Sequence, residues 1–376
     1  MPIGYLITVL IAAVCTALAI RPPHPRRSGP FRLSYWLSYQ VNEVQFLVFY
    51  WLLAATLLAF AQGDIDGAGG WAVVGLAVLT CVGLADLVRR ALLARPAVDR
   101  ALADGLGTAD QPQHRLPWAR ILFAPWRIRR RDVEHLRDIS YGPAGQRNLL
   151  DIYRHRSRPA DAPTLVYFHG GSFRSGRKNR EARPLLYRLA SHGWVCVSAN
   201  YRLSPPAVFP DHLVDVKRVI AWAREHGRDY GIDARTVFVA GSSAGGHLAT
   251  MAALTSGDPE LQPGFEAADT SVCGAISLYG YYGGLDGDPA SVSSPATHLH
   301  ADAPPFFAAH GDQDTIVIVE DARRFVGQLR AASTNPVVYA ELPGGQHSFD
   351  LFHSIRFKIV VDGVEDFAGS VRSRTD

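Results

Sequence analysis

Three uninterrupted apolar runs open the chain: Ile3–Ile20, Val44–Ala61 and Trp71–Val88. The first carries no charge, the second has only Gln45 as a strongly polar residue, and the third has one acid, Asp86, near its end. Each run has 18 residues, the lower end of what a helix needs to cross about 30 Å of hydrocarbon. Backbone groups in lipid must be bonded within the segment, so such runs are expected to be helices. The pattern therefore predicts three transmembrane helices within residues 1–93 rather than the buried core of a soluble domain. The first run has no basic segment before it and two more runs after it, which argues against a cleaved leader.

From residue 132 to 376 the pattern changes character. Short β-branched or aromatic runs ("PTLVYFHGG", "WVCVSANYR", "TVFVAG", "VCGAISLYG", "PPFFAAHGD", "PVVYAELPGG") alternate with helical periods such as "HLVDVKRVIAWAREHG", which Gly227 ends. "RNLLDIYR" reads as a further strand and roughly 353–370 as a last helix. Repeated strand–helix alternation with wholly apolar strands predicts an α/β fold, a mostly parallel sheet covered on both faces.

Between the two parts, residues 94–131 read as a basic, aromatic juxtamembrane linker. Arginines 115, 120, 127, 129, 130 and 131 interleave with Trp118, Ile121, Leu122, Phe123 and Trp126, with no acid from 115 to 131. Pro117 and Pro125 forbid one continuous helix. The stretch suits an interfacial segment facing anionic lipid, a solvated linker, or a flap over the soluble domain.

Charge gives the membrane part a direction. Arg21, Arg26, Arg27 and Arg32 follow the first run, the connector "QGDIDGAGG" after the second has two acids and no base, and Arg89, Arg90, Arg95 and Arg100 follow the third. The positive-inside bias then puts the N-terminus outside and everything after residue 89 in the cytoplasm of a cell-membrane protein. A net charge of +3 over 376 residues gives no footprint for a nucleic-acid partner. The four cysteines, at 15, 81, 196 and 273, lie in apolar or strand-like runs with no metal or disulfide spacing.

The chemistry centres on "VFVAGSSAGGHLAT", where Gly241-x-Ser243-x-Gly245 sits between an apolar strand and an Ala-rich helix. A sharp strand-to-helix turn exposes a serine hydroxyl at a helix N-terminus, and the glycines keep side chains out of the neighbouring backbone. Serine needs a base and the base an orienting acid, each on a later strand end in the order acid then histidine. Asp312 and Asp314 follow "PPFFAAHG", and His347 follows "VVYAELPGGQ". His353 falls in a helical pattern and is discounted, and His247 is expected to pack beneath the turn. The glycines of "YFHGGSF" suit a loop whose N–H groups approach a substrate oxygen, joined by the N–H of Ala244, with His169 and Gly170 shaping the loop.

In order along the chain, "HGGSF", "NYRLSP", "FPDHLVDVKRVIAW", "GSSAGGHLA", "HGDQD" and "GGQHSF" resemble the α/β-hydrolase esterases, most closely the hormone-sensitive-lipase-like carboxylesterase branch. The resemblance covers about 132–376 and implies Ser243 as nucleophile, His347 as general base and Asp314 as orienting acid, with Asp312 the register alternative. It implies oxyanion donors at the N–H groups of Gly171, Ser172 and Ala244, elbow glycines at 241 and 245, and neither cofactor nor metal. Two positions depart from the branch: Ser172 replaces a third glycine, and Ser242 replaces an acid before the nucleophile. The expectation is a membrane-anchored hydrolase of small-molecule or lipid esters. Acyl transfer or amide hydrolysis would use the same residues, and an inactive interaction module would be expected to have lost one of them.

Overall fold

The computed structural model describes residues 3–23, 31–107, 114–285 and 292–374, with the side chains of 31 and 32 apart. Arg26 and Arg27, which entered the orientation argument, lie outside the described residues, as does the side chain of Arg32. Helices α1 (Ile3–Ile20), α2 (Phe31–Glu43), α3 (Gln45–Ala61), α4 (Ala68–Leu92), α5 (Ala94–Leu106) and α6 (Trp118–Phe123) precede strand β1 (Val133–Ser140). There follow β2 (Leu149–His155), β3 (Ala162–Phe168), α7 (Arg183–Ser191), β4 (Val195–Ala199), α8 (Asp211–His226), β5 (Ile232–Ser242) and α9 (Ala244–Leu254). The chain continues through β6 (Gly274–Leu278), β7 (Phe306–Gly311), α10 (Val319–Ala332), β8 (Val337–Leu342) and α11 (Ile355–Arg372).

The eight strands form one sheet in the order β1-β2-β4-β3-β5-β6-β7-β8. β1, β2 and β4 pair antiparallel in succession, and every pair from β4 to β8 is parallel. The alternation of side chains along a strand divides the core. Leu165, Tyr167, Phe238, Ala240, Phe307 and Ala309 face a layer made by α5, α7 and α11. Val166, Phe168, Val237, Val239, Phe306 and Ala308 face a layer made by α8, α9 and α10. This is the mostly parallel sheet covered on both faces that the apolar strands predict, and the α/β-hydrolase fold that the resemblance implies.

Two elements differ from the sequence reading. β1, "VEHLRDIS", is a half-exposed edge strand with a register shift between Leu136 and Ile139, and Asp138 at φ 58° marks the irregularity. Its polar pattern conceals it because one face meets solvent. Within the stretch read as a linker, α5 buries Ala94, Val98, Ala101, Leu102 and Leu106 at helical spacing. It packs on β8 so closely that a side-chain carbon at Gly105 would lie 2.7 Å from Val338.

Of the N-terminal helices, α1 and the Ala68–Leu106 stretch are long and apolar enough to cross a membrane. The second apolar run forms α3, 17 residues long, and meets α2 at a 90° bend. Among the described residues two helices meet that length and apolarity, or three where the bent pair counts as one. Their shared core holds Val9, Ala12, Leu52, Ala77 and Leu84, while Ile11, Val14, Trp51, Leu57, Leu79 and Val82 face outward. The C-terminus of α1, the N-terminus of α3 and the C-terminus of α4 all lie at the sheet domain. Arg90 Nη1 of α4 donates to the Ile20 carbonyl at 2.8 Å, and Asn42 Nδ2, at the bend before α3, donates to the Gly344 carbonyl at 2.8 Å.

Candidate active site

Ser243 stands between the last residue of β5 and the first of α9, at φ 55° and ψ −117°. That conformation is strained for a residue with a side chain, and the surroundings impose it. A side-chain carbon at Gly241 would lie 2.1 Å from the Gly245 carbonyl oxygen, and one at Gly245 would lie 2.1 Å from the Phe168 carbonyl oxygen. Only glycine permits strand, turn and helix to approach so closely. The Ser243 N–H donates to the Leu278 carbonyl at 2.9 Å, which ties the turn to β6.

His347 lies on the loop after β8 and Asp314 on the turn after β7. Ser243 Oγ is 2.9 Å from His347 Nε2, and His347 Nδ1 is 2.7 Å from Asp314 Oδ2. All three side chains are almost fully buried. Asp314 Oδ1 accepts the backbone N–H groups of Ile316 and Val317 at 2.8 and 2.9 Å. Its carboxylate is therefore held by hydrogen-bond partners on both oxygens. Asp312 turns elsewhere and accepts the Gly344 N–H at 2.7 Å.

Sequence reasoning overlooked Gln346. Its Oε1 accepts from Thr315 N at 2.8 Å and from His347 N at 2.9 Å, locking the acid-bearing turn to the histidine-bearing loop. It also gave no sign of the aromatic walls around the imidazole: Tyr279 meets the His347 ring edge-on at 4.5 Å between centroids, and Tyr35 of α2 does so at 6.2 Å. Tyr35 also donates to Ser348 Oγ at 2.9 Å, so α2 rests directly on the histidine loop. Nothing in the spacing of these residues along the chain signals their meeting.

The "HGGSF" loop follows β3. Gly171, Ser172 and Phe173 have φ of 116°, 53° and 59° in succession. A side-chain carbon at Gly171 would lie 2.2 Å from the Ser175 carbonyl oxygen. The Gly170 N–H is held by the Glu181 carboxyl. Ser172 and Ala244 line, with Ser243, Tyr281, Leu285 and Ile316, a cavity of about 240 Å³ over the serine, and Gly171 does not line it. Among the described residues, no carbonyl or side chain accepts the N–H of Ser172 or Ala244.

His169 and His247 are buried and packed. His169 donates from Nδ1 to the Gly170 carbonyl at 2.7 Å and stacks on Tyr201. His247 lies beneath the turn with Nε2 2.8 Å from the Ser293 carbonyl. Burial pushes both down to about 4. Behind the serine two acids are buried as well. Desolvation and the neighbouring Asp350 push Glu181 up to about 7, and desolvation likewise raises Asp350. Among the described residues no group of three His, Cys, Asp or Glu converges on a metal position.

The chain matches the BD-FAE family over residues 150–282. It is 38% identical to the protein named "Probable carboxylic ester hydrolase LipM" of Mycobacterium tuberculosis, with 98% of this chain and 93% of that protein covered. It is 40% identical to "Esterase LipQ" of the same organism, over 65% of this chain and 64% of that protein. Among solved structures it resembles the apo form of Thermogutta terrifontis esterase 2, with a TM-score of 0.53 and 25% identity over 62% of this chain and 92% of that one. The butyrate-bound form of the same esterase gives a TM-score of 0.55 at 24% identity, covering 63% and 93%.

Proposed function

This chain belongs to the α/β-hydrolase carboxylic ester hydrolases that include LipM, and we propose that it cleaves esters through an acyl-enzyme formed on Ser243. The observation that carries the reading is the line from Asp314 through His347 to Ser243, at 2.7 and 2.9 Å. As Ser243 Oγ attacks the ester carbonyl, His347 Nε2 takes its proton, and the Asp314 carboxylate holds the ring in the tautomer with Nδ1 protonated. The N–H groups of Ser172 and Ala244 meet the developing oxyanion, with Gly171 setting the loop's bend. Each such donor is worth roughly 3 kcal/mol. The tetrahedral intermediate then collapses, His347 protonates the departing alkoxide, and water hydrolyses the acyl-enzyme by the same steps. The water and the acyl acceptor use one set of residues, so transfer to another alcohol differs only in product.

The first 93 residues act as a membrane anchor in this reading, and 132–376 carry the chemistry. Helix α2, whose Tyr35 packs against His347, carries exposed Leu33, Trp36 and Leu37. That placement favours substrates with apolar acyl chains, lipid-like esters among them. The arginines at 89, 90, 95 and 100 favour a cytoplasmic catalytic domain and an external N-terminus. A reporter fused after residue 376 is expected to read cytoplasmic; a periplasmic signal overturns that orientation. The chemical reading is tested by fluorophosphonate labelling: Ser243→Ala is expected to remove the label and ester hydrolysis together, and a persisting label places the nucleophile elsewhere.

A further inference from the structure

A second cavity lies on the anchor side of the sheet domain, between α6, α7 and the start of α11, and shares no residue with the one over Ser243. Its volume is about 130 Å³. Arg115, Arg120, Arg130, Arg188 and Lys358 converge on it with His353, and no carboxylate lines it. Three of the cations are answered by acids outside the lining. Arg130 pairs with Asp132 at 3.2 Å, Arg188 with Glu365 at 3.2 Å, and Lys358 with Asp362. Arg115 and Arg120 form no ion pair among the described residues.

The positive charge crowded there acts on its own members. Burial, then Arg130 and Arg127, lowers Arg120. Burial, then Arg120 and Arg130, pushes His353 down to about 4. His353 Nε2 is buried without a hydrogen-bond partner. A fold gains nothing from holding two unpaired guanidinium groups beside other cations, since like charges in a partly desolvated cleft repel. An anion seated among them would relieve that repulsion.

The surroundings identify the chemistry of the anion. Arg is the side chain suited to phosphate oxygens, which several guanidinium groups share through charge-assisted bonds. The segment that brings Arg115, Arg120 and Arg130 to the cavity also carries exposed Trp118, Phe123 and Trp126. Phe123 stacks on Tyr50 of α3 at 6.0 Å with the rings nearly parallel, so this segment rests against an apolar helix. Aromatic side chains beside basic ones at that level match the headgroup layer of a bilayer.

We propose that this cavity is a binding site for a phosphate-class anion, presented by an anionic lipid headgroup or by a soluble phosphate. The site is separate from ester cleavage, and its fate does not depend on the role given to Ser243.

The test uses the full chain purified in neutral detergent and follows tryptophan fluorescence on titration with dihexanoyl phosphatidic acid, inorganic phosphate or dihexanoyl phosphatidylcholine. Saturable binding of phosphatidic acid, phosphate or both is expected, with none for the zwitterionic lipid. Binding of the lipid alone assigns the headgroup as the source, and binding of phosphate alone assigns the soluble ion. The double variant Arg115→Gln, Arg120→Gln is expected to weaken binding about tenfold or more, while Arg324→Gln, at an exposed position of α10, leaves it unchanged. Fluorophosphonate labelling verifies that the double variant is folded, and where it is not, Arg115→Gln alone is read. The proposal is overturned if neither phosphate compound binds, if phosphatidylcholine binds equally, if the double variant binds like the parent, or if Arg324→Gln weakens binding as much.

Discussion

Ser242 Oγ donates a hydrogen bond to Asp350 Oδ2 at 2.6 Å, joining two residues 108 positions apart immediately behind the candidate nucleophile. Tyr167 Oη donates in turn to Ser242 Oγ at 2.8 Å, and all three side chains are fully buried. The serine before the candidate nucleophile thus reaches a carboxyl that follows the histidine in the chain. The hydroxyl relays between a phenol and a carboxyl, and neither has water to turn to.

Ser242→Ala is therefore expected to cost about 1–3 kcal/mol, the penalty for a buried polar group left unpaired. Asp350→Asn keeps an acceptor for Ser242 and removes a charge that burial already disfavours, so it is expected to cost less. Thermal unfolding of both variants in detergent gives the comparison. A loss in Asp350→Asn equal to that in Ser242→Ala would show that the carboxylate charge itself stabilises the fold.

The two aspartates of the turn after β7 separate in the same direct way. Asp314 touches His347, whereas Asp312 caps the Gly344 N–H. Asp314→Asn is expected to lower kcat by on the order of 10³–10⁴, because an amide favours the wrong imidazole tautomer. Asp312→Asn keeps a carbonyl oxygen for Gly344 and is expected to stay within a few-fold of the parent. Ester hydrolysis rates of the two purified variants decide it, and a larger loss at Asp312 reverses the assignment.

How far the chain announces this site depends on the distance over which its parts assemble. The turn at Ser243 is written in five consecutive letters, and Asp314 and His347 each lie just past an apolar strand whose end is visible. Strand ends on one side of a parallel sheet gather in space, so counting strands brings the three together. Tyr35, Glu181, Tyr279 and Asp350 carry no such address: they meet the site through packing between segments with no pattern in common. Helix α5 shows an intermediate case. Its apolar positions 94, 98, 101, 102 and 106 keep a helical period, but Arg95, Asp99, Arg100 and Asp104 share the segment, and the neighbouring membrane run draws the eye to a linker. The bend at Val44 is likewise hidden, since nothing apolar or polar marks the change to φ −123° and ψ 45°.

Helix α2 is fastened to the sheet domain by an ion pair removed from water. Arg356 of α11 is fully buried and meets the Glu43 carboxylate, while its Nη2 donates to the Pro343 carbonyl at 3.2 Å. Arg356→Met leaves Glu43 buried and alone, and is expected to cost about 3–5 kcal/mol. Adding Glu43→Leu removes the orphaned charge and is expected to recover most of that loss. Thermal unfolding of the single and double variants tests the coupling. Because Pro343 and Gly344 lead into the His347 loop, the single variant is also expected to lose activity, which the double variant regains in part.

Glu181 gives the enzyme a built-in dependence on pH. Its carboxyl is fully enclosed, holds the Gly170 N–H, and is pushed up to about 7 by burial and then by Asp350. An unfolded glutamate titrates near 4.5, so between about 4.5 and 7 the folded state binds the proton more tightly than the unfolded state does. Stability from this group is then fully present below the unfolded value and falls as pH rises through that window, levelling above the folded value. Asp350, raised for the same reason, contributes with the same sign, so the parent protein alone does not isolate Glu181. Glu181→Gln keeps an amide oxygen for the Gly170 N–H and cannot ionise. The difference in unfolding temperature between parent and Glu181→Gln, measured from pH 5 to pH 8 in detergent, is expected to shift toward the variant as pH rises. A difference that stays constant with pH would show that Glu181 does not change its protonation on folding.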